Sequence, residues 1–426
     1  MKSIEARQFL DQFPRFEVKP GLARIRRLLD FVGQPHLAYP TVHVGGTNGK
    51  GSVVAMLDAV LRHSGLRVGR FTSPDLLDFR DRIVVNGEWI SEDELAEGVA
   101  RLAPAIDALD DVPSQFEIVT ALAFDHLARS DIDIGVIEVG LGGRFDATNV
   151  VRPEAAILTN VTLDHQAILG ETVEEIAWEK AGIAKADTPL LIGELPASVH
   201  EIVRTECEKT GAILRPVASV DVRRLSRDWD SATYRVTWDG ADRTLELPLV
   251  GAAQGANLRL VLGAITELRL RGFAVPDEAV VEGLRTAQWP GRLEVAQEHP
   301  TIVLDGAHNP AAARALAADI VDLVPKPECR SLLYGTLADK DANAVLAALR
   351  AGFPTIGICS SASQRALPTD QLVEKAHEHF RQVAQYHSID EGIRTWLSQA
   401  SAEDVLVVTG SLTVVGEARC LLMEGN

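Results

Sequence analysis

Short apolar runs alternate with stretches of helical periodicity along this chain, and that alternation restricts the fold more than any other feature of the sequence. Runs at residues 41–44, 67–71, 134–138, 155–158 and 190–192 are too brief for helices. Between them, apolar residues recur at i, i+3 and i+4. Parallel strands need crossover connections of about a dozen residues or more, usually helical, so the pattern specifies βαβ units, a mainly parallel sheet and the α/β class.

The 426 residues exceed what one hydrophobic core holds, and two units are expected. In the first, Asn86-Gly87 between IVV and EWI marks a hairpin turn. Residues 213–250 change rhythm: RVTW, the turn Asp239-Gly240 and RTLELPLV read as antiparallel strands added to the end of that unit. Helices follow at about 255–271 and 276–287. The segment Gln288-Trp289-Pro290-Gly291-Arg292 sets Pro beside Gly and forces a turn. The expected division is therefore 1–289, a P-loop parallel-sheet ATPase domain with a small antiparallel addition, and 290–426, a Rossmann-like α/β domain. The second contains TIVLD, a helix from Pro310, SLLYG, a helix at 341–351, TIGICS, two more helices and VLVVTG before a last helix, which gives four strands and at least four helices. Two nucleotide-binding-like units imply a ligand in the cleft between them.

Composition excludes several classes. Hydrophobic residues make up 46% of the chain, yet no apolar run approaches the roughly 20 residues that span a membrane. The opening MKSIEARQFLDQFPRF is broken by charges and has no signal-peptide h-region, so the cytoplasm is the expected compartment. Cys207, Cys329, Cys359 and Cys420 lack zinc-ligand spacing and read as reduced core residues. A net charge of -18 argues against nucleic acid as a partner. Anionic ligands must then be held by local groups: backbone N–H donors, a few Lys and Arg, or a metal.

TVHVGGTNGKGSVVAML supplies such groups as a strand, a glycine loop and a helix in succession. Gly45, Gly46 and Gly49 let the backbone of Gly46, Thr47, Asn48, Gly49, Lys50, Gly51 and Ser52 turn its N–H groups around phosphate oxygens, with Lys50 reaching the terminal phosphates. The loop departs from G-x-x-x-x-G-K-[ST], because Val44 takes the first Gly position and Gly51 separates Lys50 from Ser52. A glycine-rich turn without a ligand is the plainer reading; ATP binding is the sharper one.

Other residues carry two readings as well. Glu138 ends an apolar strand before Gly140, Gly142 and Gly143, which suits either a turn cap or a carboxylate for Mg²⁺ at the edge of a parallel sheet. His165 follows a strand and a short turn, and coordination rules alone favour imidazole for metals softer than Mg²⁺. On ETVEEIAWEKAGIAK, Lys180 shares a face with Val173, Ile176, Ala177 and Ala184. It is either a snorkelling lysine or a desolvated amine of lowered pKa, able to take up CO₂ as a carbamate. Asn309 before Pro310 fits a helix N-cap without any ligand.

GTNGKGS is the loop variant of folylpolyglutamate synthases, and the chain resembles the bacterial folylpolyglutamate synthase/dihydrofolate synthase family of the Mur-ligase superfamily over nearly its whole length. FTSPDLLDFRDRI, FEIVTALAF, EVGLGGRFDATN, TNVTLDH, EKAGIAK, WPGRLE, DGAHNP and TGS match in the family's order. The resemblance implies an ATP-dependent amide ligase that adds L-glutamate to dihydropteroate or a reduced folate through an acyl phosphate. It implies one or two Mg²⁺ ions held by Ser73, Glu138 and His165, with ATP as cosubstrate and a monovalent cation as a further candidate. Lys180 is implied to be carbamylated. Asn257, Arg292 and Asp305 are implied to contact ATP, His308 and Ser411 the glutamate, and Gly21, Leu22, Phe116, Glu117, Phe145, Asp146 and Ala147 the pterin. Lys50, Lys180 and His308 are the implied catalytic groups. Where the family usually has His, this chain has Asp75. Small-molecule substrates, no nucleic acid, no membrane and a monomeric state complete the expectation. Competing readings are a UDP-muramoyl amino-acid ligase, a P-loop kinase or nucleotide switch, and a nonenzymatic nucleotide-binding regulator.

Overall fold

Runs such as TVHVG and IGVIE bury every residue, because helices cover both faces of the sheet they form. The computed structural model describes residues 3–14 and 19–424 and is α/β throughout. Its first sheet comprises β1 (Thr41–Gly45), β2 (Val68–Phe71), β3 (Ile83–Val85), β4 (Glu88–Trp89), β5 (Ile134–Glu138), β6 (Ala155–Leu158), β7 (Pro189–Ile192) and β8 (Ile213–Pro216). The order is β4-β3-β2-β5-β1-β6-β7-β8. From β2 to β8 in that order the neighbours run parallel, while β3 and β4 return antiparallel. Asn86 and Gly87, at φ 51 and 93, supply the two left-handed residues that such a tight hairpin requires.

β1 lies between β5 and β6, with Val44 opposite Glu138 and Gly45 opposite Leu158. The carboxyl ends of strands from distant parts of the chain therefore meet at one edge, where ligands of open α/β sheets bind. Two covering helices, Gln115–Arg129 and Val173–Ala181, begin with capping boxes at Ser114/Glu117 and Thr172/Glu175.

β8 corrects one expectation. Residues 213–216 do not join the antiparallel addition but extend the main sheet beside β7 in parallel, after the crossover helix Ala197–Thr210. The strands β9 (Asp221–Arg227), β10 (Ala232–Trp238) and β11 (Ala241–Leu247) form a separate three-stranded sheet.

The last sheet contains β12 (Glu294–Gln297), β13 (Thr301–Asp305), β14 (Arg330–Tyr334), β15 (Thr355–Ile358), β16 (Gln382–Gln385) and β17 (Val405–Thr409), ordered β12-β13-β17-β14-β15-β16. Only β12 is antiparallel to its neighbour. Six strands stand where four were expected. The two additions, EVAQ and QVAQ, are the edges, and half-solvated edge strands lack the apolar run that marks a central one.

By internal contacts the chain forms two compact units. One contains the residues up to Arg224 with Tyr234–Glu246 and Gly255–Ala287; the other contains Leu225–Thr233, Leu247–Gln254 and everything from Gln288. Arg227, its side chain 4% exposed, ties two of these segments to the second unit by donating to Val250 O and pairing with Asp319 and Asp322. Cys207, Cys329 and Cys359 are buried, but Cys420 is exposed on the last helix and is not a core residue. Among the described residues, no helix is long and apolar enough to cross a membrane.

Candidate active site

The loop after β1 owes its shape to two glycines. Gly46 has φ 132, and a Cβ there would collide with Thr159 Oγ1. Gly49 has φ 85, and its Cβ would stand 2.6 Å from Asn257 Oδ1. The helix Lys50–His63 begins at once, so its first N–H groups and its positive dipole end face the loop. The segment after β6 forms a wall. Asn160 accepts from Asn48 N at 3.0 Å and donates to Asn48 O at 3.0 Å, and Thr159 Oγ1 donates to Asn48 O at 2.7 Å. Thr47 N donates to Asn160 O at 2.9 Å. Thr159 and Asn160 were not singled out in sequence; the signal was there, polar residues directly behind the apolar strand AAIL.

Two lysines converge on this loop. Lys50 Nζ donates to Gly46 O and Thr47 O, each at 3.2 Å. Lys180 is 4% exposed and donates to Gly46 O at 3.0 Å. Burial, and then the charge of Lys50, lower its pKa to about 7, against the opposing pull of Asp164, Asp146 and Glu179. The desolvated reading of the apolar stripe therefore describes this side chain. Ile176 and Ala177 share the buried face. The helix ends at Ala181, so Ala184 is buried beyond it. On the other side of the loop, Asn257 is 5% exposed and its amide abuts Gly49.

Glu138, 5% exposed, ends β5 beside the loop and accepts a 3.3 Å hydrogen bond from Ser73 N. A hard carboxylate with a hydroxyl residue next to it fits Mg²⁺, which takes few protein oxygens and fills its octahedron with water and phosphate. His165, at φ 50, precedes the short helix Gln166–Leu169. Its side chain is 35% exposed and Nε2 lies 3.9 Å from Asp164 Oδ1. Among the described residues, no three His, Cys, Asp or Glu side chains form a ready-made metal cage. Asp75, the departure from the family, pairs with the buried Arg82.

The residues expected around a pterin separate into two kinds. Glu117 is 5% exposed and already engaged: it accepts from Ser114 N at 2.8 Å and from Arg24 Nε at 3.0 and 3.1 Å. Asp146, also buried, accepts from Leu141 N at 2.8 Å and Thr148 N at 3.0 Å. Burial pushes its pKa up, against these donors. Both carboxylates are directed at their own surroundings. Phe145 is 44% exposed and Phe116 is half-buried, 6.2 Å from Phe71 in a stacked pair. Ala147 is buried, Gly21 takes φ 120, and Leu22 is half-buried in front of the helix Ala23–Phe31.

In the second unit, Asp305 ends β13 and is buried, accepting from Leu293 N at 3.0 Å and Ala307 N at 2.9 Å. Burial raises its pKa and the nearby Arg292 lowers it. Arg292 fills the space a Cβ on Gly306 would need. His308 Nδ1 lies 2.8 Å from Gly306 O, which as an acceptor fixes the proton on Nδ1. Asn309 caps the helix Pro310–Leu323 through a 2.9 Å bond from Ala312 N, as read from sequence. Ser411 is buried, accepts from Val414 N at 3.2 Å and contacts Thr413 Oγ1 at 2.9 Å.

Comparison with known proteins agrees with this geometry. Residues 44–265 match the Mur ligase middle domain, and residues 291–412 match the Mur ligase glutamate ligase domain. A dihydrofolate synthase/folylpolyglutamate synthase of Bacillus subtilis is 34% identical over 97% of this chain and 98% of its own. A protein of Halobacterium salinarum named "Probable bifunctional folylpolyglutamate synthase/dihydropteroate synthase" is 36% identical over 98% of this chain, which spans only 51% of that protein. Among solved structures, Mycobacterium tuberculosis folylpolyglutamate synthase complexed with ADP superposes with a TM-score of 0.92 at 32% identity, covering 99% of this chain and 98% of the other.

Proposed function

We infer that this chain, which belongs to the folylpolyglutamate synthase/dihydrofolate synthase family of Mur ligases, is an ATP-dependent ligase that joins L-glutamate to a folate-type carboxylate. The observation that carries the reading is Lys180, a buried amine of lowered pKa bonded to the carbonyl of a phosphate loop. A kinase or nucleotide switch needs the loop but has no use for a second, desolvated lysine there.

An unactivated carboxylate does not condense with an amine in water, because hydroxide is a poor leaving group. In the proposed reaction an acceptor carboxylate oxygen attacks the γ-phosphorus of ATP, ADP departs, and an acyl phosphate results. The glutamate amine attacks the acyl carbon, loses a proton, and phosphate leaves as the amide forms. Lys50 and the loop N–H groups hold the phosphates and offset the charge that builds on them. Glu138, Ser73 and His165 would hold Mg²⁺, which supplies charge neutralisation between phosphate oxygens. Lys180 Nζ takes up CO₂ with loss of a proton, and the resulting carbamate is a further anionic oxygen donor at the loop. Asn257, Arg292 and Asp305 are assigned to ATP, and His308 and Ser411 to glutamate. Phe116, Glu117, Phe145, Asp146, Ala147, Gly21 and Leu22 are assigned to the pterin. The setting is cytoplasmic, with small molecules as the partners.

The test is to incubate the purified protein with MgATP and glutamate, offer dihydropteroate and a reduced folate separately, and weigh the products. The expected result is a product heavier by one glutamyl residue and phosphate release that requires both acceptor and glutamate. Hydrolysis independent of glutamate would overturn the ligase reading, and glutamylation of neither acceptor would overturn the folate assignment.

A further inference from the structure

Lys180 is the last residue but one of its helix, Val173–Ala181. The last turn of a helix is the part that frays, because its carbonyls have no partner within the helix. An amine that must stay at Gly46 O, 3.0 Å away, therefore needs that turn held from outside.

Arg144, from the loop after β5, supplies the hold. Its backbone N–H donates to Glu179 O at 2.8 Å, and its guanidinium donates to Trp178 O at 3.0 Å. These are the carbonyls of the two residues before Lys180, and both are among the four that a helix leaves open at its end. The positive charge also meets the negative end of the helix dipole. The guanidinium lies over the Trp178 ring at 3.8 Å and pairs at 2.6 Å with Glu206, which is 4% exposed on the helix Ala197–Thr210. Close backbone approach allows these contacts: a Cβ on Gly143 would stand 2.9 Å from Lys180 O, and one on Gly182 would collide with Arg144.

We propose that Arg144 is a positioning residue for Lys180: it caps the last turn from outside, with Glu206 holding its guanidinium, and so keeps the amine at the phosphate loop. Its kinetic consequence rests on the ligase reading and its spectroscopic one on the carbamate, while the contacts need neither. With the turn held, Lys180 Nζ forms a C–N bond to CO₂, one C=O electron pair moves onto oxygen, and the nitrogen releases one proton to solvent.

Arg144→Met keeps an apolar stem beside Trp178 and removes the charge and the bond to Trp178 O. Ligation kcat is expected to fall about tenfold, the scale of one hydrogen bond from a charged donor, with the KM of ATP within about twofold. Lys180→Met already lacks the amine, so adding Arg144→Met to it should slow ligation no further than about twofold. Additive losses would show that Arg144 acts apart from Lys180 and overturn the proposal. Glu206→Gln should give a smaller loss that also vanishes in the Lys180→Met background; an unchanged rate overturns its part in the hold.

Two measurements need no turnover. In ¹³C-bicarbonate titrations, Arg144→Met should need about tenfold more bicarbonate than wild type to reach half of its carbamate signal, while binding ADP within about twofold. Equal bicarbonate demand, or a parallel loss of ADP affinity, overturns the proposal. Absence of ligation by the wild type would sink the ligase reading and leave this titration to decide, and absence of a carbamate would sink that modification and leave the double variant to decide. Amide hydrogen exchange depends on neither reading: residues 180–182 should exchange about tenfold faster in Arg144→Met, and unchanged protection there overturns the proposal by itself.

Discussion

Lys50 and Lys180, 130 positions apart in the chain, direct their amines at one atom, the carbonyl oxygen of Gly46, from 3.2 and 3.0 Å. One carbonyl cannot neutralise two ammonium ions in a buried place, and the group with less water gives up its proton more readily. Lys180 is that group.

Its pKa of about 7 lies below the ordinary 10.5, so between these values the unfolded chain binds a proton that the folded chain does not. Stability contributed by this site therefore rises as pH rises from about 7 to 10.5, and the cost of the buried ammonium is full below about 7. Lys180→Met is expected to raise Tm at mildly acidic pH and to lose that advantage as pH approaches 10. Calorimetry across this range checks it; a Tm difference that is flat with pH would contradict the assignment. Ligation by the variant should fall by roughly 100-fold or more.

Carbamate formation consumes the neutral amine, so it should increase with bicarbonate and with pH through the region of about 7. ¹³C-bicarbonate added to the wild-type protein is expected to give a carbamate resonance that Lys180→Met lacks. Native mass spectra showing a bare amine at saturating bicarbonate would rule the modification out.

Gly49→Ala places a methyl group 2.6 Å from Asn257 Oδ1 and forces a side chain into φ 85. The left-handed backbone alone costs about 1–2 kcal/mol, and Asn257 must move away from the loop. ADP affinity measured by titration calorimetry should fall by about tenfold or more, with the fold intact by circular dichroism. Unchanged affinity would mean that Asn257 does not shape the nucleotide site.

Asn309 caps a helix that starts with proline, and capping accounts for its buried side chain. Asn309→Ala should cost about 1 kcal/mol in denaturant unfolding, and Asn309→Ser should recover most of it. Activity of Asn309→Ser far below wild type would show a ligand role in addition.

These expectations also show where sequence suffices. Lys180 was legible because helical spacing alone puts it among Ile176 and Ala177 on the buried face. The strands that hold the site were legible because a parallel sheet buries both faces. Glu117 was read only as a pterin contact, although Ser114-Gln115-Phe116-Glu117 spells a capping box. Its other partner, Arg24, lies 93 residues earlier, beyond any local pattern. His43 and Thr148 went unmarked for the same reason: a lone polar residue in a strand acquires meaning from a partner 105 residues away. The edge strands β12 and β16 were missed because solvent, and not the core, sets their composition.

The wall of the phosphate loop has a consequence for synthesis. Asn48 O is held by Thr159, 111 positions later, and Gly46 O by Lys180, 134 positions later. On a ribosome the loop emerges long before either partner, and the sheet cannot close around β1 until β5 and β6 have followed. A nascent chain cut short of Lys180 should carry the complete glycine motif and still not retain nucleotide. Capture on immobilised ADP would then mark the moment at which Thr159 and Lys180 have closed on the loop.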